Sequence, residues 1–343
     1  MYSLSGKELY DQAQLFKQTQ DYNNYIIYIT MAANYNYPDA MINIYNCDTY
    51  RKQDHSITIK FYEETAYNDK LPNSYSIHYL GYMYINGLHV SKDCSKGIKL
   101  YELAVEKGNA QSLRNLALRY KSGNGVEKNY TKAIKLFKLS IKKGMYKSLV
   151  SLADIYENGL GVKRNYEKAI ELYECAIEKE IVMAINNLGY LYQNRIDGYK
   201  DYVKAKGFYK LAIEKGSIAA FTNLGFIYQE KKKYIKAKKL YEMGIDKGCT
   251  SALNNLGTLY KGGLGVKKNS EYANELYEKS IIKGDITTLH YLISRYEKKK
   301  YTIEGFNKLI TLYKIGINHN DRLSERHMTR LLKTELSETG TEY

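Results

Sequence analysis

Leucine recurs at Leu80, Leu116, Leu152, Leu188, Leu224, Leu256 and Leu292, and four residues after each stands a tyrosine, from Tyr84 to Tyr296. Apolar or small residues occupy the positions three and four before each leucine, as in Ser148 and Leu149 before Leu152. That spacing follows the helical period and predicts a helix with one buried stripe. A second stripe follows in each segment, for example Ala169, Leu172, Tyr173, Ala176 and Ile177, and predicts a second helix.

Cutting the chain every 36 residues aligns these stripes in seven units that begin at Asn73, Asn109, Met145, Ile181, Ser217, Cys249 and Asp285, the last closing at Asn320. The unit from Ser217 is four residues shorter. Numbered within the unit, position 8 is the leucine and position 12 the tyrosine. Position 32 stays small (Ala104, Ser140, Ala176, Ala212, Gly244, Ser280, Gly316), and position 9 is glycine or alanine in six units, which lets helix backbones approach closely. Position 36 is glycine in five units, where a helix ends in the left-handed conformation, with Glu180 and Asn320 as departures.

Between the stripes lies a recurring loop, "SGNGVEKNYTKA" at 122–133, "NGLGVKRNYEKA" at 158–169 and "GGLGVKKNSEYA" at 262–273. Its glycines suit a tight reversal with positive φ, its valine plugs the turn into the core, and Asn129, Asn165 and Asn269 stand where an N-cap belongs. The loop carries no GK[ST] and follows no strand, so it is architecture rather than a phosphate cradle. Residues 181–216 and 217–248 replace it with "NRIDGYKDY" and "KKKY", and the unit from Asp285 lacks it as well.

Segments such as "SLADIYENGLGVKRNYEKAIELYECAIEKE" and "ALNNLGTLYKGGLGVKKNSEYANELYEKSIIKG" resemble the Sel1-like repeat, a relative of the tetratricopeptide repeat. The resemblance covers 73–320 and implies an all-α, right-handed superhelical solenoid of helix pairs, with repeats at 73–108, 109–144, 145–180, 181–216, 217–248, 249–284 and 285–320. Residues 1–72 read as divergent helix pairs or a cap: "ELYDQAQLFKQTQDYNNYIIYITMAANYN" as one pair, "YPDAMINIYN" with "ITIKFYEETAYN" as a second. Residues 321–343 read as a capping helix and tail, with Leu323, His327, Leu331 and Met328 turned toward the last pair.

Composition narrows the chemistry. Two prolines leave long stretches free to be helical, and 44% hydrophobic with 26% charged residues is globular usage. Four cysteines, Cys47, Cys94, Cys175 and Cys249, match no zinc or disulfide spacing, so the expected setting is intracellular, in a cytoplasmic and reducing compartment. No signal peptide or membrane span is expected. The six histidines (His55, His78, His89, His290, His319, His327) read as ordinary surface or groove residues, and no nucleophile stands in a catalytic motif. The chain is therefore expected to be no enzyme and to need no cofactor or metal.

Two function classes remain. The preferred one is a scaffold or adaptor that binds a peptide or protein on the concave face, as the resemblance implies. Its candidate contacts are the position-7 amides Asn115, Asn187, Asn223 and Asn255 with the position-10 aromatics Tyr82, Tyr190 and Phe226. The alternative starts from a net charge of +15: a basic scaffold docking on nucleic acid or an anionic surface through a loop ridge of Lys163, Arg164, Lys267 and Lys268. The richness in Lys, Asn, Ile and Tyr also fits an A/T-rich coding sequence, which would make part of that charge compositional.

Overall fold

Every regular element among the described residues is a helix. The computed structural model describes residues 4–35, 74–88, 90–195, 200–298, 302–319 and 321–338, with isolated positions at 40, 59, 62, 63, 66 and 198. The second upstream pair expected over "YPDAMINIYN" and "ITIKFYEETAYN" lies almost wholly outside the described residues. Cys47, His55, His89 and Asn320 lie outside them entirely.

The chain divides into two compact units, Met1–Ile181 and Val182–Tyr343. The first holds α1 (Gly6–Gln18), α2 (Tyr22–Asn34), α3 (Ser74–Asn86), α4 (Cys94–Glu106), α5 (Ala110–Ser122), α6 (Tyr130–Lys142), α7 (Lys147–Asn158) and α8 (Tyr166–Glu178). The second holds α9 (Val182–Asn194), α10 (Tyr202–Glu214), α11 (Ala219–Glu230), α12 (Tyr234–Asp246), α13 (Thr250–Gly262), α14 (Ser270–Ile282), α15 (Leu289–Glu297), α16 (Ile303–Asn318) and α17 (Arg322–Glu338). Within each unit consecutive helices pack as pairs, and each pair packs on the next.

The pairs close on one recurrent contact. The position-29 aromatic of each second helix, Tyr101, Phe137, Tyr173, Tyr209, Tyr241, Tyr277 or Tyr313, is no more than 2% exposed. Opposite it, in four repeats, stands a position-9 glycine. A methyl group built on Gly225 would lie 2.4 Å from Tyr241 Cε1, so the ring fills the space that a side chain would need. In four repeats the hydroxyl at the far end of the ring finds a polar partner at position 13, while those of Tyr101 and Tyr277 meet Asn115 and Thr258. Tyr173 donates to Glu157 Oε2 at 2.8 Å, Tyr209 to Gln193 Oε1 at 2.8 Å and Tyr313 to Glu297 Oε1 at 3.0 Å. A buried aromatic with its polar end satisfied can fill a core at every repeat. The position-8 leucines complete that core, Leu80 through Leu292 being no more than 3% exposed.

The expected turn chemistry is present. Asn129, Asn165 and Asn269 accept from the backbone N–H of Lys132, Lys168 and Tyr272 at 2.8, 2.7 and 3.0 Å. Gly159 and Gly161 have φ of 66° and 67°. Gly161 has a second reason to be glycine, since a methyl group there would lie 2.4 Å from Cβ of Tyr130, the first residue of the preceding second helix. The loop thus docks each turn on its neighbour. Where the glycine loop is absent, Lys232 takes the left-handed conformation at φ 56°, and Glu180 does the same at a helix end with φ 58°.

Two expectations need correction. Leu323 does not face the last pair but is 45% exposed, and Ser324, 1% exposed, takes its place. The capping carboxylate of Asp321 accepts from the backbone N–H and the hydroxyl of Ser324 at 3.1 and 2.5 Å, which fixes the rotation of α17. Gly316 leaves room for that serine, because a Cβ there would meet Ser324 Oγ at 2.1 Å. Met328 and Leu331 do pack on the final core, and the His327 ring meets Tyr313 edge-on. His78 is the second correction. It is buried, 5% exposed, stacked on Tyr101 and bonded through Nδ1 to Ser112 Oγ at 2.8 Å.

Candidate functional site

The first helices α9, α11 and α13 touch one another in sequence within the second unit and form a continuous layer. The helical period places Met183, Asn187 and Tyr190 on one stripe of α9, with Asn223 and Phe226 at the equivalent places of α11. Met183, Tyr190 and Phe226 are 63, 52 and 41% exposed, which makes them conspicuous apolar groups on helices whose other large apolar residues are buried or half-buried. Met183 stands at position 3 of the stripe that carries positions 7 and 10, seven residues before Tyr190.

The amide ladder is not uniform. Asn223 Nδ2 donates to Asn186 Oδ1 at 3.0 Å and ties α11 to α9. Asn115 Nδ2, in the first unit, donates to the Tyr101 hydroxyl at 3.4 Å. Asn187 and Asn255 are partly exposed and make no side-chain hydrogen bond among the described residues. Tyr82 is partly buried against the core of the first unit rather than displayed. Of the seven candidates, Asn187, Asn255, Tyr190 and Phe226 remain available on one unit.

The four ridge residues, Lys163, Arg164, Lys267 and Lys268, are all exposed in their loops. The first two lie in one compact unit and the last two in the other. Arg164 rests near the Tyr166 ring, 6.0 Å from its centroid.

A further charged feature runs along the second helices. In two repeats the position-24 lysine sits beside the position-12 tyrosine and the position-30 glutamate of the preceding repeat completes a cluster. Lys308 Nζ donates to the Tyr296 hydroxyl at 3.0 Å and to Glu278 Oε1 at 3.0 Å, while Tyr296 donates to the same carboxylate. Burial alone would lower the Lys308 pKa, but these two bonds outweigh it and hold the ammonium above its usual range. Tyr120, Lys132 and Glu102 repeat the arrangement, with Tyr120 donating to Glu102 Oε1 at 3.1 Å and Lys132 to the tyrosine. Among the described residues, no group of three or more His, Cys, Asp or Glu is placed to hold a metal, and no helix is long and apolar enough to cross a membrane.

Comparison with known proteins agrees with this architecture. The family model described as Sel1 repeat matches residues 74–109, 110–145, 147–180, 182–217, 223–249 and 250–285. A Sel1 repeat protein from Oxalobacter formigenes is 26% identical, with a TM-score of 0.56 over 71% of this chain and 98% of that one. The protective antigen c5321 of uropathogenic Escherichia coli, with an SLR fold, is 22% identical over 96% of this chain and 80% of that one, TM-score 0.53, and shares the fold. No curated protein matches the chain significantly. The helix pair of α15 and α16 lies beyond the last family match, yet its helices pack on each other as the earlier pairs do. With small position 9 against buried position 29 through the matched segments, and with those segments covering more than half its length, the chain belongs to the Sel1 repeat family.

Proposed function

We propose that this chain is a non-enzymatic adaptor that holds a peptide or protein segment against the first helices of its repeats. Sel1 repeat proteins are generally protein-interaction scaffolds. Tyr190 and Phe226 carry the more specific reading: two large aromatics, exposed at the same position of adjacent repeats, flanked by the amides of Asn187 and Asn255. Aromatic anchors beside groups that both donate and accept suit a segment whose backbone runs across the layer, the rings taking its side chains and the amides its peptide groups.

A peptide selected on the intact chain from a random display library tests this. Tyr190→Ala with Phe226→Ala should weaken its binding by about tenfold or more while the melting temperature holds. Asn187→Ala with Asn255→Ala should weaken it by a smaller factor, since each amide bond is worth only about 0.5–1.5 kcal/mol net. Asn223 is a poor choice for the same test because its amide already joins two helices. Equal affinity for wild type and the aromatic double variant would remove the first-helix layer from the function.

A further inference from the structure

Two junctions of the second unit are built from the same repeat positions and carry opposite charge. Where the repeat 249–284 meets α15 and α16, a cavity of about 270 Å³ is lined by Glu278, Glu304 and Lys308 among apolar residues, and the lysine is paired with both carboxylates, at 3.0 and 3.8 Å. Where the repeat 181–216 meets α11 and α12, the equivalent cavity is about 360 Å³. Its position 30 is Lys210 instead of Glu278, and its charged lining is Lys210, Lys236, Lys239 and a single carboxylate, Glu214. The substitution removes the acceptor that completes the cluster elsewhere. Lys236 lies 5.8 Å from the Tyr228 ring centroid, and none of the three lysines makes an ion pair among the described residues. The floor is apolar, with Phe221 and Leu224 only 6 and 3% exposed below the rim.

We propose that this pocket binds an acidic peptide segment, its carboxylates answering Lys210, Lys236 and Lys239 and an adjoining large apolar side chain entering over Phe221 and Leu224. Charge complementarity selects the occupant. At the paired junction position 30 supplies a carboxylate to the tyrosine–lysine couple, and at this one it supplies a third cation, leaving the lining with three lysines and one carboxylate. The apolar lining argues for a peptide over a bare anion, because inorganic phosphate would leave Met243, 42% exposed at the rim, uncovered. The volume sits at the low end of ligand cavities, which run from about 300 to 1,000 Å³, and suits one large side chain with its charged neighbours. The site is formed by α10 and α12 over the buried face of α11, and neither Tyr190 nor Phe226 of the surface proposed above lines it.

The probe is a fluorescein-labelled peptide of glutamates alternating with leucine and phenylalanine, titrated against the full chain by fluorescence polarisation. Lys210→Glu, which installs the residue found at the paired junction, should fold normally and weaken binding by about tenfold or more. Lys236→Met should weaken it as well, and a probe with glutamine for every glutamate should bind at least about tenfold less tightly. Tyr190→Ala with Phe226→Ala should leave the affinity unchanged, which separates this pocket from the first-helix layer. No binding by the wild type, equal binding by Lys210→Glu, equal binding of the glutamine probe, or displacement by inorganic phosphate alone would each overturn the proposal.

Discussion

The contact between the two helices of one repeat and the contact between one repeat and the next obey different rules. Inside the repeat, Gly81, Gly189, Gly225 and Gly257 face Tyr101, Tyr209, Tyr241 and Tyr277 with no room for a methyl group in its ideal place, and the ring is buried every time. Between repeats, the position-30 residue is Glu102 at one junction, Glu278 at another and Lys210 at a third, and the tyrosine beside it is correspondingly bonded or left to the lysine. A close-packed contact loses dispersion and gains strain with any change of volume, so its residues vary little. A solvent-facing cluster of charges contributes little to stability, so its residues are free to change sign. The fold is written in the first kind of contact and the differences among repeats in the second.

The largest expected effect comes from emptying the first kind of contact. Leu256→Ala or Leu152→Ala removes a side chain only 2 or 3% exposed and should cost about 2–5 kcal/mol in urea unfolding. A cost below about 0.5 kcal/mol would mean that these leucines do not anchor their repeats. Overfilling comes next. Gly225→Val forces a branched side chain into the Tyr241 ring and should cost about 1–3 kcal/mol. Gly225→Ala should fall near neutral, since Ala117 and Ala153 stand at the same position and the higher helix propensity of alanine offsets a small shift of the ring. If alanine is as harmful as valine, the contact is tighter at this repeat than at its neighbours.

His78 tests a polar group placed within the first kind of contact. Burial pushes its imidazole down to about 3, while in the unfolded chain it titrates near its ordinary value of about 6.5. The unfolded state therefore binds the extra proton as pH falls. The contribution of a neutral His78 is complete above about pH 6.5 and is lost progressively below it, with a slope of up to about 1.4 kcal/mol per pH unit. Unfolding free energies measured at about pH 7 and about pH 5 should differ for the wild type, and by less for His78→Gln. An unchanged pH dependence in the variant would mean that other groups set the acid sensitivity.

The contrast between the two contacts also explains what the sequence discloses. Periodic burial is local information: Leu152, Tyr156, Ala169 and Tyr173 declare their faces by spacing, and Asn129, Asn165 and Asn269 declare the helix starts by residue type and place. Contacts that join distant residues are not local. His78 is satisfied by Ser112, a full turn of the repeat away, so a histidine that looks like a surface residue is buried. Asn223 bonds Asn186 of the preceding repeat, so a residue that looks available is partly spent. Leu323 loses the inward place to Ser324 because the Asp321 cap and Gly316 set the rotation of α17, where an apolar pattern alone favours the leucine. Comparing Lys210 with Glu278 at equivalent positions was possible from the sequence, but its meaning depends on Tyr228 and Lys236 lying beside it.

The smallest expected effect concerns charge at its most exposed. Lys163 and Arg164 follow the loop valine in one unit, Lys267 and Lys268 follow it in the other, and all four point to solvent. None forms an ion pair among the described residues, and the N-caps beside them, Asn165 and Asn269, hold the second helices by neutral side-chain bonds. Reversing all four to glutamate breaks no cap and removes only the distant contact of Arg164 with the Tyr166 ring, so stability should move by no more than about 0.5 kcal/mol per site. The same variant decides whether the loop charge has a use. If the net charge of +15 serves nucleic acid or an anionic surface through these loops, reversal should abolish binding to a labelled oligonucleotide and flatten its salt dependence, because each lost cation removes released counterions. If wild type and variant bind alike, or neither binds, the loop cations are not a docking ridge, and the peptide surfaces of the second unit stand as the better reading of this chain.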